Sequence, residues 1–202
     1  MKPGLLILVS APSGAGKTSL VGVLLKNDPN LTVCVSHTTR PKRDNEEDGS
    51  NYHFVSPETF ERMISAGEFL EHALVFGNRY GTSKAEVATK HQAGQDVILE
   101  IDWQGAEQVR QLMPEAVSIF ILPPSKDALQ NRLIDRGQDS EQTIIKRLAE
   151  AELDMSQARN YDYIIVNDDF DLASRDFNAV ITAERLRADI QIGRNPDVKA
   201  LL

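Results

Sequence analysis

Apolar residues cluster in five short runs: Leu5–Val9, Thr32–Val35, Val97–Ile101, Val117–Leu122 and Tyr163–Val166. Each is nearly continuous in valine, isoleucine and leucine rather than alternating, which is how a strand covered on both faces reads. Between the runs, apolar positions recur at helical spacing. Leu20, Val21, Leu24 and Leu25 share one face before Asp28-Pro29, and Val109, Leu112 and Met113 do the same before Pro114. Ile144, Leu148, Ala151 and Met155 form a longer stripe, with Asp139 or Ser140 as its cap. Strand alternating with helix predicts a parallel sheet with helices on both faces.

Two segments break this rhythm. Residues 36–82 are polar, with turn signals at Asp48-Gly49 and Gly77-Asn78 and an alternating stretch Tyr52-His53-Phe54-Val55. They predict a small mixed α+β insert, partly antiparallel, with a helix near 57–66. Residues 124–143 carry several charges and the pair Arg136-Gly137, and read as a small mobile lid. The core is then 1–35, 83–123 and 144–202, with the tail from Gly193 to Leu202 loosely held.

The first run leads into Ala11-Pro12-Ser13-Gly14-Ala15-Gly16-Lys17-Thr18, and a helical pattern follows at once. Glycines here let successive N–H groups converge into an anion nest. The new helix adds its unpaired N–H groups and positive dipole end. Lys17 supplies a full charge to the outer phosphates, and Thr18 a hydroxyl for a magnesium ion. This is the phosphate loop of a nucleoside triphosphate-binding protein. Ala11 stands where the pattern has its first glycine, which an alanine tolerates at negative φ. The loop predicts a triphosphate, without saying what is done with it.

Composition narrows the partners. The chain of 202 residues has a formal net charge of -8, which disfavours nucleic acid and anionic membranes. No apolar run approaches the length of a membrane span. The single cysteine, Cys34, sits in the apolar stretch Leu31–Val35 and reads as a buried small hydrophobe. A reducing compartment and the cytoplasm are the expectation. The four histidines, His37, His53, His72 and His91, show no metal-ligand spacing. Trp103 reads as packing.

The insert holds Arg40-Pro41-Lys42-Arg43 just after a predicted strand, with Tyr52 and Tyr80 as hydroxyl donors. Two arginines and two tyrosines suit a phosphate monoester, since guanidinium binds it bidentately and phenol adds directed hydrogen bonds. Read alone, the cluster is equally a solvated loop neutralised by the acidic stretch Asp44–Asp48.

The chain resembles the bacterial guanylate kinases over essentially its full length. The likeness is carried by Ser10–Ser19, Val35–Arg43, Asn51–Val55, Phe69–His72, Gly77–Thr82, Asp102–Gly105, Ile121–Ser125, Arg136–Glu141 and Val166–Asp169. It implies an α/β phosphate-loop kinase with a five-stranded parallel core, a GMP-binding insert and a lid. It implies transfer of the γ-phosphoryl group of ATP to GMP with Mg²⁺. By the same resemblance, Arg40, Arg43, Tyr52 and Tyr80 clamp the GMP phosphate, and Ser36, Glu71, Thr82 and Asp102 surround the guanine. Arg132, Arg136 and Arg147 close on the transferring group beside Lys17, with Arg132 and Arg136 one helical turn apart. Asn167 and Asp168 border the adenine. Glu100 replaces the family's aspartate and holds a magnesium-bound water across one extra methylene. Oligomeric state stays open. Two rivals remain at this level: a related kinase for another phosphorylated acceptor, and a peptide-binding module of the same fold without catalysis.

Overall fold

The computed structural model describes residues 3–135 and 141–202. The chain begins with β1 (Leu6–Ser10), α1 (Lys17–Asn27), β2 (Leu31–Val33), β3 (His37–Thr38), β4 (His53–Phe54), α2 (Pro57–Ser65), β5 (Phe69–Val75) and β6 (Asn78–Ser83). It continues through α3 (Lys84–Gln92), β7 (Asp96–Glu100), α4 (Trp103–Leu112), β8 (Val117–Leu122), α5 (Lys126–Asp135) and α6 (Glu141–Ser156). After a 3-10 turn at Gln157–Asn160 come β9 (Tyr163–Val166), α7 (Phe170–Arg185), α8 (Ala188–Arg194) and α9 (Pro196–Leu201).

The fold is α/β. All five apolar runs become strands of one sheet, in the order β2-β7-β1-β8-β9. A second sheet, β4-β3-β6-β5, is mixed, with β3 parallel to β4 and antiparallel to β6. The chain forms two compact units, one of Val9–Pro29 and Val117–Leu202, the other of Pro3–Leu8 and Asn30–Ala116. Among the described residues no helix is long and apolar enough to cross a membrane.

In the first unit, α1 buries Leu20, Val21 and Leu24 as its periodicity requires. Arg185 on α7 reaches Asp28 at the end of α1 at 2.6 Å. The stripe on α6 packs onto α5: Leu129, Leu133 and Ala151 are buried, with Ile144, Leu148 and Met155 against them. The segment read as a lid therefore opens with an amphipathic helix. The Asp139 or Ser140 cap lies outside the described residues. Strand β9 departs from expectation, because Ile164 and Val166 are half exposed. Among the described residues it is an edge strand with no outer neighbour. The tail carries α9, which buries no residue and is capped by the Asn195 side chain.

In the second unit, Asp96 at the start of β7 accepts the Leu5 N–H at 2.6 Å. Helix α4 faces inward through Gly105, Ala106 and Val109, while Leu112 is 62% exposed. The sequence stripe overlooked the two small residues, which let a helix approach its support closely. Phe60 on α2 stacks on Phe69 of β5 with ring centres 4.5 Å apart. Cys34 is buried as expected, and its N–H continues the β2 ladder to the Ile98 carbonyl at 3.0 Å. Burial pushes its thiol well above the ordinary range, and the neighbouring Glu86 adds to the rise.

Candidate functional site

The first unit presents the phosphate loop between β1 and α1. Strand β1 is fully buried and delivers the chain to the loop without slack. Gly14 and Gly16 both sit at φ 96°, in the left-handed region where a side chain is strained. Gly16 is the N-cap of α1 and makes no side-chain cap hydrogen bond; a helix start of this kind is where an anion finds N–H donors. The Ala15 N–H closes a turn onto the Pro12 carbonyl at 3.1 Å. A Cβ on Gly14 would press on Leu129 and Leu133 of α5 at 3.1 and 3.2 Å, and one on Gly16 would strike the Asn167 amide. Lys17 and Thr18 open α1 in the first turn, with Thr18 exposed.

Two of the arginines reach this region. Arg147 on α6 points Nη1 at the Ser13 hydroxyl, 3.4 Å away. Arg132 on α5 donates to the Asn167 carbonyl at 2.8 Å. Arg136 lies outside the described residues. Asn167 is buried and its side-chain amide donates to the Ala15 carbonyl at 2.7 Å. Its contact with the loop went unread in the sequence, because 152 positions separate the two residues. Asp168 beside it is exposed.

The second unit gathers the residues expected around a guanine. Glu71 and Thr82 face each other across the β5–β6 ladder. Both are buried, and the Thr82 hydroxyl donates to Glu71 Oε1 at 2.5 Å. The β3–β6 register His37↔Gly81 continues one step to place buried Ser36 opposite Thr82. Glu71 Oε2 lies against Gly105, so close that a Cβ there would collide with it. Asp102 has a task the sequence reading missed: it is the N-cap of α4, accepting the Gly105 N–H at 2.9 Å. An Asp three residues before a buried Gly was the available signal. Gln108 of α4 clasps the His72 backbone, its Nε2 on the carbonyl at 2.9 Å, and so fixes β5 next to Glu71.

The clamp residues lie in the same unit. The Arg40 guanidinium stands over the Tyr52 ring at 5.5 Å, and Tyr52 and Tyr80 meet edge to face at 5.8 Å. Arg40 is paired with Glu46 at 2.6 Å, and Glu46 also accepts the Arg43 N–H at 2.9 Å. This pairing holds the Glu46 carboxyl below the usual carboxylate range. The acidic stretch behind the arginines thus acts through one specific residue. Burial pushes the Tyr52 phenol up to about 12, with Tyr80 and Glu100 adding to the rise. Glu100, half-buried at the end of β7, is therefore within electrostatic reach of Tyr52.

Comparison with known proteins follows the same line. The family model described as guanylate kinase matches residues 3–184. A guanylate kinase of Thiobacillus denitrificans is 56% identical over 193 residues, covering 96% of this chain and 92% of that one. One from Hahella chejuensis is 58% identical over 191 residues, covering 95% and 92%. The crystal structure of guanylate kinase from Anaplasma phagocytophilum has a TM-score of 0.78 at 32% identity, covering 96% of this chain and 97% of the other.

Proposed function

Because the chain belongs to the guanylate kinase family, we infer that it is an ATP:GMP phosphotransferase, moving the γ-phosphoryl group of ATP to GMP to give ADP and GDP. The observation that carries the acceptor reading is the buried Glu71 carboxylate, one oxygen held by Thr82 and the other against Gly105. Guanine presents two adjacent donors, N1–H and the exocyclic amino group, and a carboxylate accepts both. Adenine offers an unprotonated N1 at the same place, acceptor against acceptor. A buried polar group left without its partner discriminates by roughly 10⁴-fold. The Thr82 proton is given to Glu71, so Ser36 is the hydroxyl left for O6.

In this reading Arg40, Arg43, Tyr52 and Tyr80 take the GMP phosphate, and Arg40 exchanges its Glu46 partner for it. Asp102 borders the base while capping α4. The loop from Ala11 to Thr18 holds the donor's phosphates, with the Gly16 N–H and the Lys17 ammonium turned to them. Asn167 and Asp168 lie toward the adenine end. Transfer asks for alignment and charge neutralisation rather than covalent chemistry. ATP and GMP repel each other, and Lys17, Arg132, Arg136 and Arg147 offset that repulsion. The acceptor is already a phosphate oxygen, so no general base is assigned.

Magnesium accompanies the triphosphate. The hydroxyl of Thr18 is a hard oxygen of the kind Mg²⁺ takes, and such an ion keeps most of its waters and needs only one or two protein oxygens. Glu100 is the candidate to hold one of those waters. When bound, the ion neutralises charge on the β- and γ-phosphates. The three-part division into core (1–35, 83–123, 144–202), GMP insert (36–82) and lid (124–143) belongs to this reading, and so does a cytoplasmic location, where both nucleotides are found.

The test is ADP release with GMP, AMP, dTMP and sugar phosphates as acceptors. Turnover with GMP alone supports the reading. Turnover with another acceptor favours the related kinase, and no turnover with any favours the binding module.

A further inference from the structure

Asn167 is held at three points. Its N–H donates to the Leu122 carbonyl at the end of β8 at 2.8 Å. Its carbonyl receives Arg132 at 2.8 Å, and its side-chain Nδ2 donates to the Ala15 carbonyl at 2.7 Å. It is 4% exposed. The two backbone bonds leave the amide little freedom, so it is a fixed object against which the loop is set.

The Ala15 carbonyl shares a peptide plane with the Gly16 N–H. In a trans peptide the two point in opposite directions. Holding that carbonyl toward Asn167 therefore turns the Gly16 N–H to the far side. Such an approach needs Gly16 to lack a side chain, since a Cβ there would strike Nδ2. Gly16 also sits at φ 96°, where glycine alone is unstrained. An unheld Ala15–Gly16 peptide could rotate and present a carbonyl to the ligand's anionic oxygens. We propose that Asn167 is a positioning residue for the phosphate loop: its amide locks the Ala15–Gly16 peptide so that the Gly16 N–H faces the triphosphate. This is a different task from bordering an adenine. The inference rests on reading the loop as a triphosphate site.

The discriminating variant is Asn167→Asp. It is isosteric, but as a carboxylate it sets an acceptor against the Ala15 carbonyl. Once protonated, it regains a donor. Two probes are measured by calorimetry with Mg²⁺, a non-hydrolysable ATP analogue and inorganic tripolyphosphate, which has no base. GMP serves as the control ligand. At about pH 8 the variant is expected to bind both probes roughly 10–100-fold more weakly than the parent, with GMP affinity within about twofold. Asn167→Ala, which removes the donor without adding charge, is expected to show the same selective loss, and so tells loss of the lock from repulsion between a new carboxylate and the probes' anionic oxygens.

Equal affinity of parent and variant overturns the inference. So does parent-like binding by Asn167→Ala, a deficit that extends equally to GMP, or one seen with the ATP analogue and absent with tripolyphosphate. A parent that binds neither probe overturns the loop reading and this inference with it. Should Asn167→Asp fail to fold, Asn167→Ala carries the test alone.

Discussion

The Thr82 hydroxyl donates to Glu71 Oε1 at 2.5 Å across paired strands, and both side chains are buried. The carboxylate is thus aimed before any base arrives. Glu71→Gln swaps an acceptor for a donor at the atoms that, in the proposed reading, face guanine N1–H and its amino group. Steady-state kinetics are expected to show KM for GMP raised about a hundredfold or more, with KM for ATP nearly unchanged. Thr82→Val leaves the carboxylate but frees it to turn, and about a tenfold rise is expected. An unchanged preference for GMP over AMP in Glu71→Gln refutes the assignment.

Tyr52 carries a pH prediction. Its phenol is pushed up to about 12, chiefly by burial, so it keeps its proton throughout the range in which the enzyme is assayed. A raised phenol pKa means the neutral form persists below that value and is lost only above it. Hence KM for GMP is expected to show no break from this group between about pH 7 and 10. If the Tyr52 hydroxyl serves the GMP phosphate as proposed, Tyr52→Phe is expected to raise KM for GMP by about tenfold, with kcat within a few-fold.

Arg132 donates to the Asn167 carbonyl. If its cation serves the transferring group, Arg132→Ala lowers kcat by about a hundredfold or more while GMP affinity stays near the parent's. The same split is expected for Arg136→Ala. Equal turnover in variant and parent removes the arginine from the mechanism.

Gly81 tests the packing beneath the acceptor pocket. A Cβ there would lie 2.9 Å from Phe69 Cδ1 and 3.0 Å from Phe60 Cζ, rings that stack on one another. Gly81→Ala is expected to cost about 1–3 kcal/mol in urea unfolding, because neither ring has room to retreat. A midpoint equal to the parent's shows that the rings move freely.

What the sequence disclosed was whatever is written locally. The five strands lie within a residue or two of their apolar runs, and the loop from Ala11 to Thr18 is contiguous. Contacts set by register or topology were hidden. Glu71 and Thr82 lie 11 residues apart and meet because a hairpin turns at Gly77. Ala15 and Asn167 meet because the sheet order sets β8 and then β9 on the flank of β1, although more than a hundred residues separate them in the chain. Periodicity failed where small residues did the packing, as with Gly105 and Ala106 against exposed Leu112. It also failed at the sheet edge, where Ile164 and Val166 are apolar without being covered. Asp102 was read from the resemblance as a neighbour of the base, and its service as the cap of α4 emerged only from the structure.

The sealed position of Cys34 has a practical side. At 2% exposure, with its proton held firmly, this lone sulfur is a poor target for maleimides. Two introduced cysteines, one in the insert at 36–82 and one in the segment read as a lid at 124–143, would then be the only ready label acceptors, and the distance between two fluorophores could be followed through a catalytic cycle.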